Sequence, residues 1–356
     1  MKLFFLAVSV ILIISDINCS NNPVAPGSSR SMDSTSHNFS FQTYTFGGGG
    51  GSILNDVMII NDTLVYAVGG IYLTDSSGQY DPFPYNFAVW NGISWKLTKV
   101  TLQSSYGSVT APFYAIYAFS SNDIWISSGW PVHGNGTSWL QYDLGSAGIL
   151  GQNDGYLTKA WGRNSSDIYF VGTRGTIVHY DGSRWTKIQS GTTLRILDIW
   201  GAQNYKTGEW EILAVASDDV NKKLLRIQGT TVSTVPDSGL TASLYGVWFV
   251  PGEKYYVVGA GIGSKSSLDN TRWSVYPSGV VTSYMSGGVR GNDLNNLFVT
   301  GSFFEIVHFN GSSWHNYKDV IPFTDGAVGS LAVNANLMVT VGLSGQNAVA
   351  IVGKRE

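Results

Sequence analysis

The stretch from Ile71 to Phe87, IYLTDSSGQYDPFPYNF, places aromatic and acidic side chains at close spacing. Its aromatic candidates are Tyr72, Tyr80, Phe83 and Tyr85, and its carboxylates are Asp75 and Asp81. Aromatic rings can stack on sugars or pack on a peptide, and carboxylates can accept hydrogen bonds from either ligand. The four aromatic residues are therefore candidates for ligand binding. The alternative interpretation is a long loop that packs on itself.

Two shorter segments supply further candidates of the same residue types. GWPVH contains Trp130 and His133, and GSFFE contains Phe303, Phe304 and Glu305, each directly after an apolar, strand-like run. If the three segments lie on one face of the folded chain, these residues form a binding face for a protein or a glycan.

The sequence contains no recognisable catalytic, metal or cofactor motif. His133, His179, His308 and His315 lack the H-E-x-x-H spacing, and no Lys-Ser or Lys-Thr follows the glycine run at 47–51 as a phosphate loop requires. We therefore predict no cofactor, no metal site and no catalytic residue. The carboxylates at loop-like positions keep a hydrolase or lyase as the alternative: Asp75, Asp81, Asp218, Asp219, Glu305 and Asp325.

The composition favours strands over helices. The 356 residues include only 21 Lys and Arg and 24 Asp and Glu, about half the charge typical of soluble domains. Glycine (43), tyrosine (19), phenylalanine (16) and tryptophan (12) are abundant instead, which suits strands joined by tight turns. With a net charge of −3 there is no basic surplus to bind phosphates, so nucleic acid is not predicted as a partner.

The N-terminus has the features of an export signal. The 12 residues from Leu3 to Ile14 are apolar except for one Ser, which is too short for a membrane-spanning helix but fits a signal peptide. The single cysteine, Cys19, follows where a bacterial lipoprotein signal peptide has its lipidated residue. The segment resembles that family, although the residues at 16–18 depart from its usual Leu and small residues. The resemblance implies a signal peptide over 1–18 and a membrane partner through a lipid on Cys19; an ordinary secretion signal is the alternative.

Residues 20–36, SNNPVAPGSSRSMDSTS, are almost devoid of apolar side chains and cannot form a core. Such a composition is typical of a flexible tether. We therefore expect residues 19–37 to hold a folded domain at 38–356 away from the bacterial outer membrane or cell surface. Periplasmic or secreted protein is the alternative location.

A repeat of 41 to 47 residues runs through the rest of the chain. A turn followed by tryptophan recurs in NGISW, NGTSW, DGSRW, DNTRW and NGSSW, which end at Trp95, Trp139, Trp185, Trp273 and Trp314, with QGTTV ending at Val232 in the one gap. An apolar strand with a small last residue recurs seven times, at Gly69, Gly129, Gly172, Ser217, Gly259, Gly301 and Gly342. A period of this length predicts stacked structural repeats.

The third repeat shows what one unit contains. Strands are predicted up to Trp161 and at Ile168–Val171, Thr176–Tyr180 and Trp185–Ile188, with an Asp-Gly hairpin signal between the last two. Four antiparallel strands in about 45 residues form one blade of a β-propeller.

The pattern of this repeat, WG followed by DIYFVG and IVHYDGSRW, resembles bacterial surface propellers with kelch-like and Asp-box-like repeats. With seven strand markers, we predict an all-β fold, a seven-bladed β-propeller of four-stranded antiparallel blades over 38–356. The seventh blade lacks a fourth strand. We predict that FSFQTYTF, Phe39–Phe46, supplies it and closes the ring, which leaves no exposed sheet edge.

Residues that recur in one slot of several repeats are interpreted as structural. His179 and His308 share a third-strand slot and are expected to brace the next blade, and the recurrent tryptophans are expected to pack in the core or between blades. Asp123 and Asp167 are expected to cap turns.

The favoured hypothesis is a noncatalytic, envelope-anchored, monomeric binding or scaffold propeller that presents a loop face to a protein or glycan. The alternative is a glycan-active hydrolase or lyase that uses carboxylates at the mouth of the central channel. Two carboxylates about 5 to 9 Å apart in a deep pocket would favour the enzyme, whereas an aromatic surface would favour binding.

Overall fold

The computed structural model describes residues 33–48, 50–75, 77–79, 81–104, 107–240, 243–321 and 324–356. Within them the chain forms seven four-stranded antiparallel sheets and one small hairpin, and its only helical segment is a short 3₁₀ turn at Thr173–Gly175. The predicted all-β, seven-bladed propeller is therefore confirmed.

The strands follow one another blade by blade, from the inner strand outward. Blade one consists of β2 Ile53–Asn61, β3 Leu64–Ile71, β4 Tyr85–Trp90 and β5 Trp95–Thr98. Blade two consists of β8 Ala115–Ser120, β9 Asp123–Ser127, β10 Pro131–Gly134 and β11 Trp139–Gln141. Blade three consists of β12 Leu157–Asn164, β13 Asp167–Gly172, β14 Ile177–Tyr180 and β15 Trp185–Ile188. The hairpin β6 Leu102–Ser104 and β7 Gly107–Val109 lies between blades one and two.

Blades four to seven continue the pattern with similar strand lengths. Blade four consists of β16 Ile196–Gln203, β17 Trp210–Ser217, β18 Lys222–Gln228 and β19 Thr231–Val235, and blade five of β20 Leu244–Val250, β21 Lys254–Gly259, β22 Gly261–Lys265 and β23 Ser274–Pro277. Blade six consists of β24 Ser286–Asp293, β25 Asn296–Gly301, β26 Ile306–Phe309 and β27 Trp314–Asn316. Blade seven consists of β28 Ala327–Val333, β29 Leu337–Ser344 and β30 Asn347–Arg355, with β1 Phe39–Phe46 as its outermost strand.

The ring is closed by the N-terminal strand, as predicted. β1 pairs antiparallel with β30 along its whole length, from Phe39 opposite Arg355 to Phe46 opposite Ala348. Phe39 is buried against Phe298 of blade six, so β1 also seals the packing between the last two blades.

The recurrent tryptophans pack between blades, also as predicted. The ring of Trp95 in blade one lies against Tyr44 and Phe46 of blade seven. Trp139 contacts Phe87 of blade one, and Trp185 contacts Trp125 of blade two. These three rings therefore cover the blade before their own, and aromatic edge-to-face contacts of this kind add to the apolar burial.

Antiparallel blades give the propeller two different ends. Loops from second to third strands, and from fourth strands to the next blade, reach one end, which we call the mouth face. Turns from first to second and from third to fourth strands reach the other end, the turn face. On the turn face, side-chain Oδ1 atoms accept backbone N–H groups two or three residues on; these side chains belong to Asn61, Asn91, Asn135, Asn164, Asp181, Asn310 and Asn334.

Residues 33–37, which the sequence assigns to the tether, lie against blade six. Thr35 N–H donates to the carbonyl of Asn310 at 3.0 Å, and the Asn310 amide donates to the Thr35 carbonyl at 2.9 Å. The Tyr317 hydroxyl donates to the His37 carbonyl at 2.7 Å. The chain is thus fixed to blade six before it enters β1 of blade seven.

Candidate functional site

Exposed apolar side chains are concentrated on the mouth face. Of the thirteen large hydrophobic residues that are exposed among the described residues, ten belong to mouth-face loops: Phe83, Val109, Tyr114, Tyr156, Val220, Val280, Tyr284, Met285, Phe303 and Val320. Ile93 lies on the turn face, and Leu140 and Tyr276 lie on outer strands. Clustering of exposed apolar area on one face is typical of an interaction surface.

A cavity of about 250 Å³ opens at the channel on this face. A β-bulge recurs at the mouth end of six inner strands, and in five of these blades the inserted residue lines the cavity: Asn55, Leu197, Tyr245, Gly287 and Gly329. Bulges redirect side chains and bend a strand. Here they widen the mouth of the channel.

Two ion pairs cross the channel below the cavity. Lys159 Nζ of blade three donates to Asp56 Oδ1 of blade one at 2.7 Å and to Ser330 Oγ of blade seven at 3.2 Å. Arg290 of blade six binds both oxygens of Asp198 of blade four, at 2.7 and 2.8 Å. The pairs therefore tie together five of the seven blades.

Both carboxylates also accept a backbone N–H from the following blade, Asp56 from Ile116 and Asp198 from Val247, each at 3.0 Å. Burial alone would lower the pKa of the Arg290 guanidinium, but the charge of Asp198 and its hydrogen bonds raise it. The arginine therefore stays charged inside the channel, as a stable buried pair requires.

An aromatic layer lies beneath the ion pairs. It includes Tyr117, Trp161 and Trp200, and the Arg290 guanidinium lies 5.0 Å from the Trp200 ring centre. The space left at this level is only about 30 Å³, which is room for one water molecule. The channel is thus a closed pocket at the mouth face and not an open pore.

The blade-six loop brings three candidates together, in different roles. Phe303 and Phe304 have φ angles of 58° and 63°, a left-handed conformation that is strained for side-chain-bearing residues. Phe304 is buried, whereas Phe303 is 40% exposed and lies 4.4 Å from the Tyr284 ring. Phe303 and Tyr284 therefore form an exposed aromatic pair on the mouth face.

Glu305 supports this pair from below. Its carboxylate is 2% exposed and accepts the backbone N–H groups of Ser283 and Tyr284, at 2.7 and 3.0 Å, and the Asn316 amide at 2.8 Å. These bonds hold the loop that carries Tyr284 against the loop that carries Phe303. Glu305 is therefore placed to position the aromatic pair and does not itself face a ligand.

The blade-one insertion is shorter than the sequence suggested. β3 extends to Ile71 and β4 begins at Tyr85, so the loop itself is 72–84, and Ile71 and Phe87 are buried in the core. Phe83 is 57% exposed. Tyr72 is half-buried, and its N–H donates to Ser52 Oγ at 2.9 Å. The predicted site residue Tyr80 lies outside the described residues, as does Cys19.

Tyr85 and Trp130 are half-buried at the mouth face. The ammonium group of Lys99 lies 4.8 Å from the Tyr85 ring centre, and it pairs with Asp81. The Trp130 ring packs near Gly145 in the loop between blades two and three. Both rings can present one edge to a ligand.

His133 occupies a different position from the other candidates. His133 lies in β10, the third strand of blade two, opposite Trp125 of β9, and the two rings stack with their centres 4.2 Å apart. The Nε2 atom of His133 is hydrogen-bonded to Asp123 Oδ1 at 2.8 Å. Asp123 begins the second strand at its turn-face end, about 13 Å of strand away from the mouth-face loop. The structure thus separates His133 from the mouth-face candidates.

His179 and His308 share this slot, opposite Tyr169 and Phe298. His179 bonds Asp167 at 2.8 Å within its own blade. The expectation that Asp123 and Asp167 simply cap turns was therefore incomplete, because both also orient a histidine. His308 is buried and contacts Phe39 of blade seven, so it braces the next blade as predicted.

The channel charges were missed by the sequence analysis. The signal was present, since Asp56 and Lys159 both stand 13 residues before the strand-end glycine of their repeat. A charge inside an otherwise apolar inner strand, at the same slot in two repeats, indicates a channel-lining residue.

Among the described residues, no group of three or more His, Cys, Asp and Glu side chains is arranged to hold a metal ion. In the same residues, no helix has the length and apolar character needed to cross a membrane.

Comparison with solved structures shows similar propellers. The chain aligns with "YCF48 bound to D1 peptide" at a TM-score of 0.65 and 14% identity, over 92% of this chain and 100% of that one. YCF48 from Cyanidioschyzon merolae aligns at a TM-score of 0.60 and 12% identity, over 88% of this chain and 98% of that one. The WD40 propeller domain of Doa1 aligns at a TM-score of 0.60 and 12% identity, over 89% of this chain and 97% of that one. At such identities the likeness shows the fold alone. No protein-family model and no curated protein matches the chain.

Proposed function

We propose that this chain is a noncatalytic binding propeller, tethered to the bacterial envelope through Cys19, that docks a protein partner on its mouth face. The observation that carries the proposal is the placement of ten of the thirteen exposed large hydrophobic residues on that one face. Exposed apolar area is unfavourable in water unless a partner covers it, and here it surrounds a cavity.

The likeness to YCF48 supports a polypeptide as the partner, because that propeller has been solved with a D1 peptide bound. The exposed Phe303–Tyr284 pair gives the same indication. Interface hot spots are enriched in tyrosine and other large side chains that fill or flank pockets. The ring of Phe303 is 40% exposed and contacts the Tyr284 ring, so it is available to a partner.

The rival hydrolase or lyase would need a free carboxyl group at the channel mouth. Asp56 and Asp198 are the carboxylates nearest the cavity, and each is engaged by a cation and a backbone N–H. A carboxylate whose oxygens are already engaged in this way is not free to contact a substrate as a general acid must. We therefore favour binding over catalysis for this face.

Site-specific photocrosslinking tests the docking face. We would place p-benzoylphenylalanine at Phe83, Tyr156 or Phe303 on the mouth face, and at Ile93 on the turn face as the matched exposed control, and irradiate cells of the native host. The proposal requires a discrete crosslinked protein band from mouth-face positions that Ile93 does not give. Crosslinks only from Ile93, or glycan capture on an array without any protein crosslink, would contradict it.

Metabolic labelling tests the anchor. A lipid analogue should label the wild type, whereas Cys19→Ala should remain unlabelled and appear in the soluble fraction. Equal labelling, or equal release of both proteins, would show that Cys19 is not the anchoring residue.

A further inference from the structure

We propose that the mouth cavity is an anchor pocket for one uncharged polar side chain (glutamine, asparagine or tyrosine) of a docked polypeptide whose neighbouring residues are basic. This inference rests on the proposed function and names the chemistry that the mouth face recognises. It follows from the cavity volume, the balance of charges inside the cavity and the charges around it.

The cavity is small for an independent ligand. Sites for drug-sized molecules measure about 300 to 1,000 Å³, whereas this one is about 250 Å³ and ends at the ion-pair layer. A pocket of this volume accepts a single large side chain. At protein interfaces, such pockets hold the anchor residues that carry most of the binding energy.

The charges at the base of the cavity balance. Two carboxylates, Asp56 and Asp198, face two cations, Lys159 and Arg290. A ligand carboxylate or ammonium would become an unpaired third charge of one sign in a partly buried site, where desolvation is costly. An uncharged ligand group avoids that penalty.

The lining selects an apolar stem with an oxygen tip. Apolar walls come from Ile53, Leu197, Leu331 and Leu343. At the base, Lys159 uses two of its three N–H donors on Asp56 and Ser330, so one donor remains for an acceptor. Glutamine, asparagine and tyrosine combine a partly apolar stem with an oxygen that accepts this bond.

The loops around the cavity carry a net negative charge. Among the described residues, six mouth-face carboxylates have no Lys or Arg partner within ion-pair distance: Asp75, Asp143, Asp218, Asp219, Asp319 and Asp325. In the same part of the chain, the mouth-face basic residues without a carboxylate partner are four: Arg174, Arg195, Lys318, and Lys223 at the mouth end of β18, whose ammonium donates to the Gly191 carbonyl. An excess of negative charge around a pocket favours approach of a basic segment.

Hydrogen bonds keep several of these carboxylates charged. The side chain of Ser77 and the backbone N–H of Gln79 lower the pKa of Asp75, and the N–H groups of Asn221 and Val220 lower that of Asp218. These hydrogen bonds favour the charged form of Asp75 and Asp218 at the rim.

Gly329 allows the pocket to be filled without disturbing the fold. A Cβ atom added there meets nothing within 4 Å, and its φ lies outside the left-handed region. Gly151, on another mouth-face loop and outside the cavity lining, is exposed and nearly as open, since a Cβ atom added there meets only Asp154 Oδ2, at 4.0 Å. Gly329→Leu and Gly151→Leu are thus a matched pair, one inside the pocket and one outside.

The experiment is an mRNA-display selection of random dodecapeptides on the full chain in lipid nanodiscs, followed by fluorescence-polarisation titration of the enriched peptides. We expect them to share Gln, Asn or Tyr flanked by Lys or Arg. The Gly329→Leu variant should bind these peptides with a Kd at least tenfold higher than the wild type, whereas Gly151→Leu should raise the Kd less than twofold. Replacing the anchor residue of the peptide by Glu should also raise the Kd for the wild-type protein at least tenfold. Thermal melting of both variants checks that they fold.

The outcomes separate this inference from the proposed function. Selected peptides could reduce crosslinking from the mouth-face positions and still bind Gly329→Leu with the wild-type Kd. That result would contradict the anchor-pocket proposal, while the proposed docking face would stand. Enrichment of acidic or purely aliphatic anchors, or no enrichment over the starting library, would also overturn it. The crosslinking result decides the proposed function independently.

Discussion

The turn face and the mouth face are built from the same seven blades but treat their loops in opposite ways. On the turn face, short turns recur with the same Asn or Asp cap. On the mouth face, the second-to-third-strand loop ranges from the single residue Ala260 in blade five to residues 72–84 in blade one. Repetition therefore marks what the ring needs, and variation marks where it can recognise a partner.

The loops of blades three and six show the same contrast at single positions. Arg174 and Gly175 in blade three have φ angles of 54° and 67°, close to those of Phe303 and Phe304 in blade six. The next residue of each loop, Thr176 or Glu305, accepts a backbone N–H from the preceding loop. Blade six keeps this backbone frame and exchanges small or charged side chains for two aromatic rings.

The largest effect should come from the turn-face end of the ring closure. Phe39 is buried against Phe298 and His308 where β1 joins blade seven to blade six. Phe39→Ala should lower the free energy of unfolding by about 3 to 5 kcal/mol, the usual effect of removing a buried phenylalanine. Urea unfolding measures the loss, with Phe83→Ala on the mouth face as the exposed control. Equal losses of unfolding free energy in Phe39→Ala and Phe83→Ala would contradict the greater structural role assigned to the ring closure.

Stability should also depend on pH through the turn face. His308 Nε2 donates to Asn296 Oδ1, which Arg355 also donates to. His308 Nδ1 is therefore the acceptor for His37 Nδ1–H at 2.8 Å and has no room for a proton. Burial, and then the nearby charge of His37, lowers the pKa of His308 to about 3 from 6.5.

Between these pH values the unfolded chain binds the proton and the folded chain does not, so stability should fall as pH is lowered from about 6.5 toward 3. Denaturant midpoints measured at pH 8, 6 and 4 check this dependence. His308→Asn should flatten the slope below pH 6.5 relative to the wild type. An unchanged slope would show that other groups control acid stability.

The mouth-face insertion should contribute little to stability. Because Ile71 pairs with Tyr85, a short Gly-containing turn can replace 72–84 while both buried strand ends stay in place. We expect the melting temperature to stay within a few degrees and crosslinking from Phe303 to the partner to be lost. A large drop in melting temperature would make the loop structural, and unchanged crosslinking would move the docking site away from it.

The smallest effect should come from Phe303. Phe303→Gly relieves the strain of a left-handed backbone, which costs about 1 to 2 kcal/mol, but it also removes the ring contact with Tyr284. We therefore expect the free energy of unfolding to rise by less than about 1 kcal/mol. Docking of the partner should become weaker. Arg174→Gly, at the same slot of blade three, should show the relief without the loss of docking. Destabilisation by Phe303→Gly would show that its ring is structural.

Much of the fold could be predicted from the sequence because its signals are local. Hairpin turns, alternating strands and the recurrent Trp each depend on a few neighbouring residues, and their period defined seven blades. The missing fourth strand of blade seven left β1 as its natural partner, and the register of Phe39 with Arg355 agrees. The ends of the blade-one loop shifted because strand pairing extended to Ile71 and Tyr85, residues 33–37 of the predicted tether lie on blade six, and the hairpin of β6 and β7 was not predicted.

The candidate site depended on contacts that only ring closure creates. Lys159 meets Asp56 from 103 residues away, and Arg290 meets Asp198 from 92, so no local pattern could pair them. Glu305 has the residue type of a ligand group, yet its burial beneath Tyr284 makes it a support. The sequence by itself determined the blades and where they vary. The tertiary structure decided which of the varying side chains are exposed on the mouth face, because burial and charge pairing arise only when the blades stand side by side.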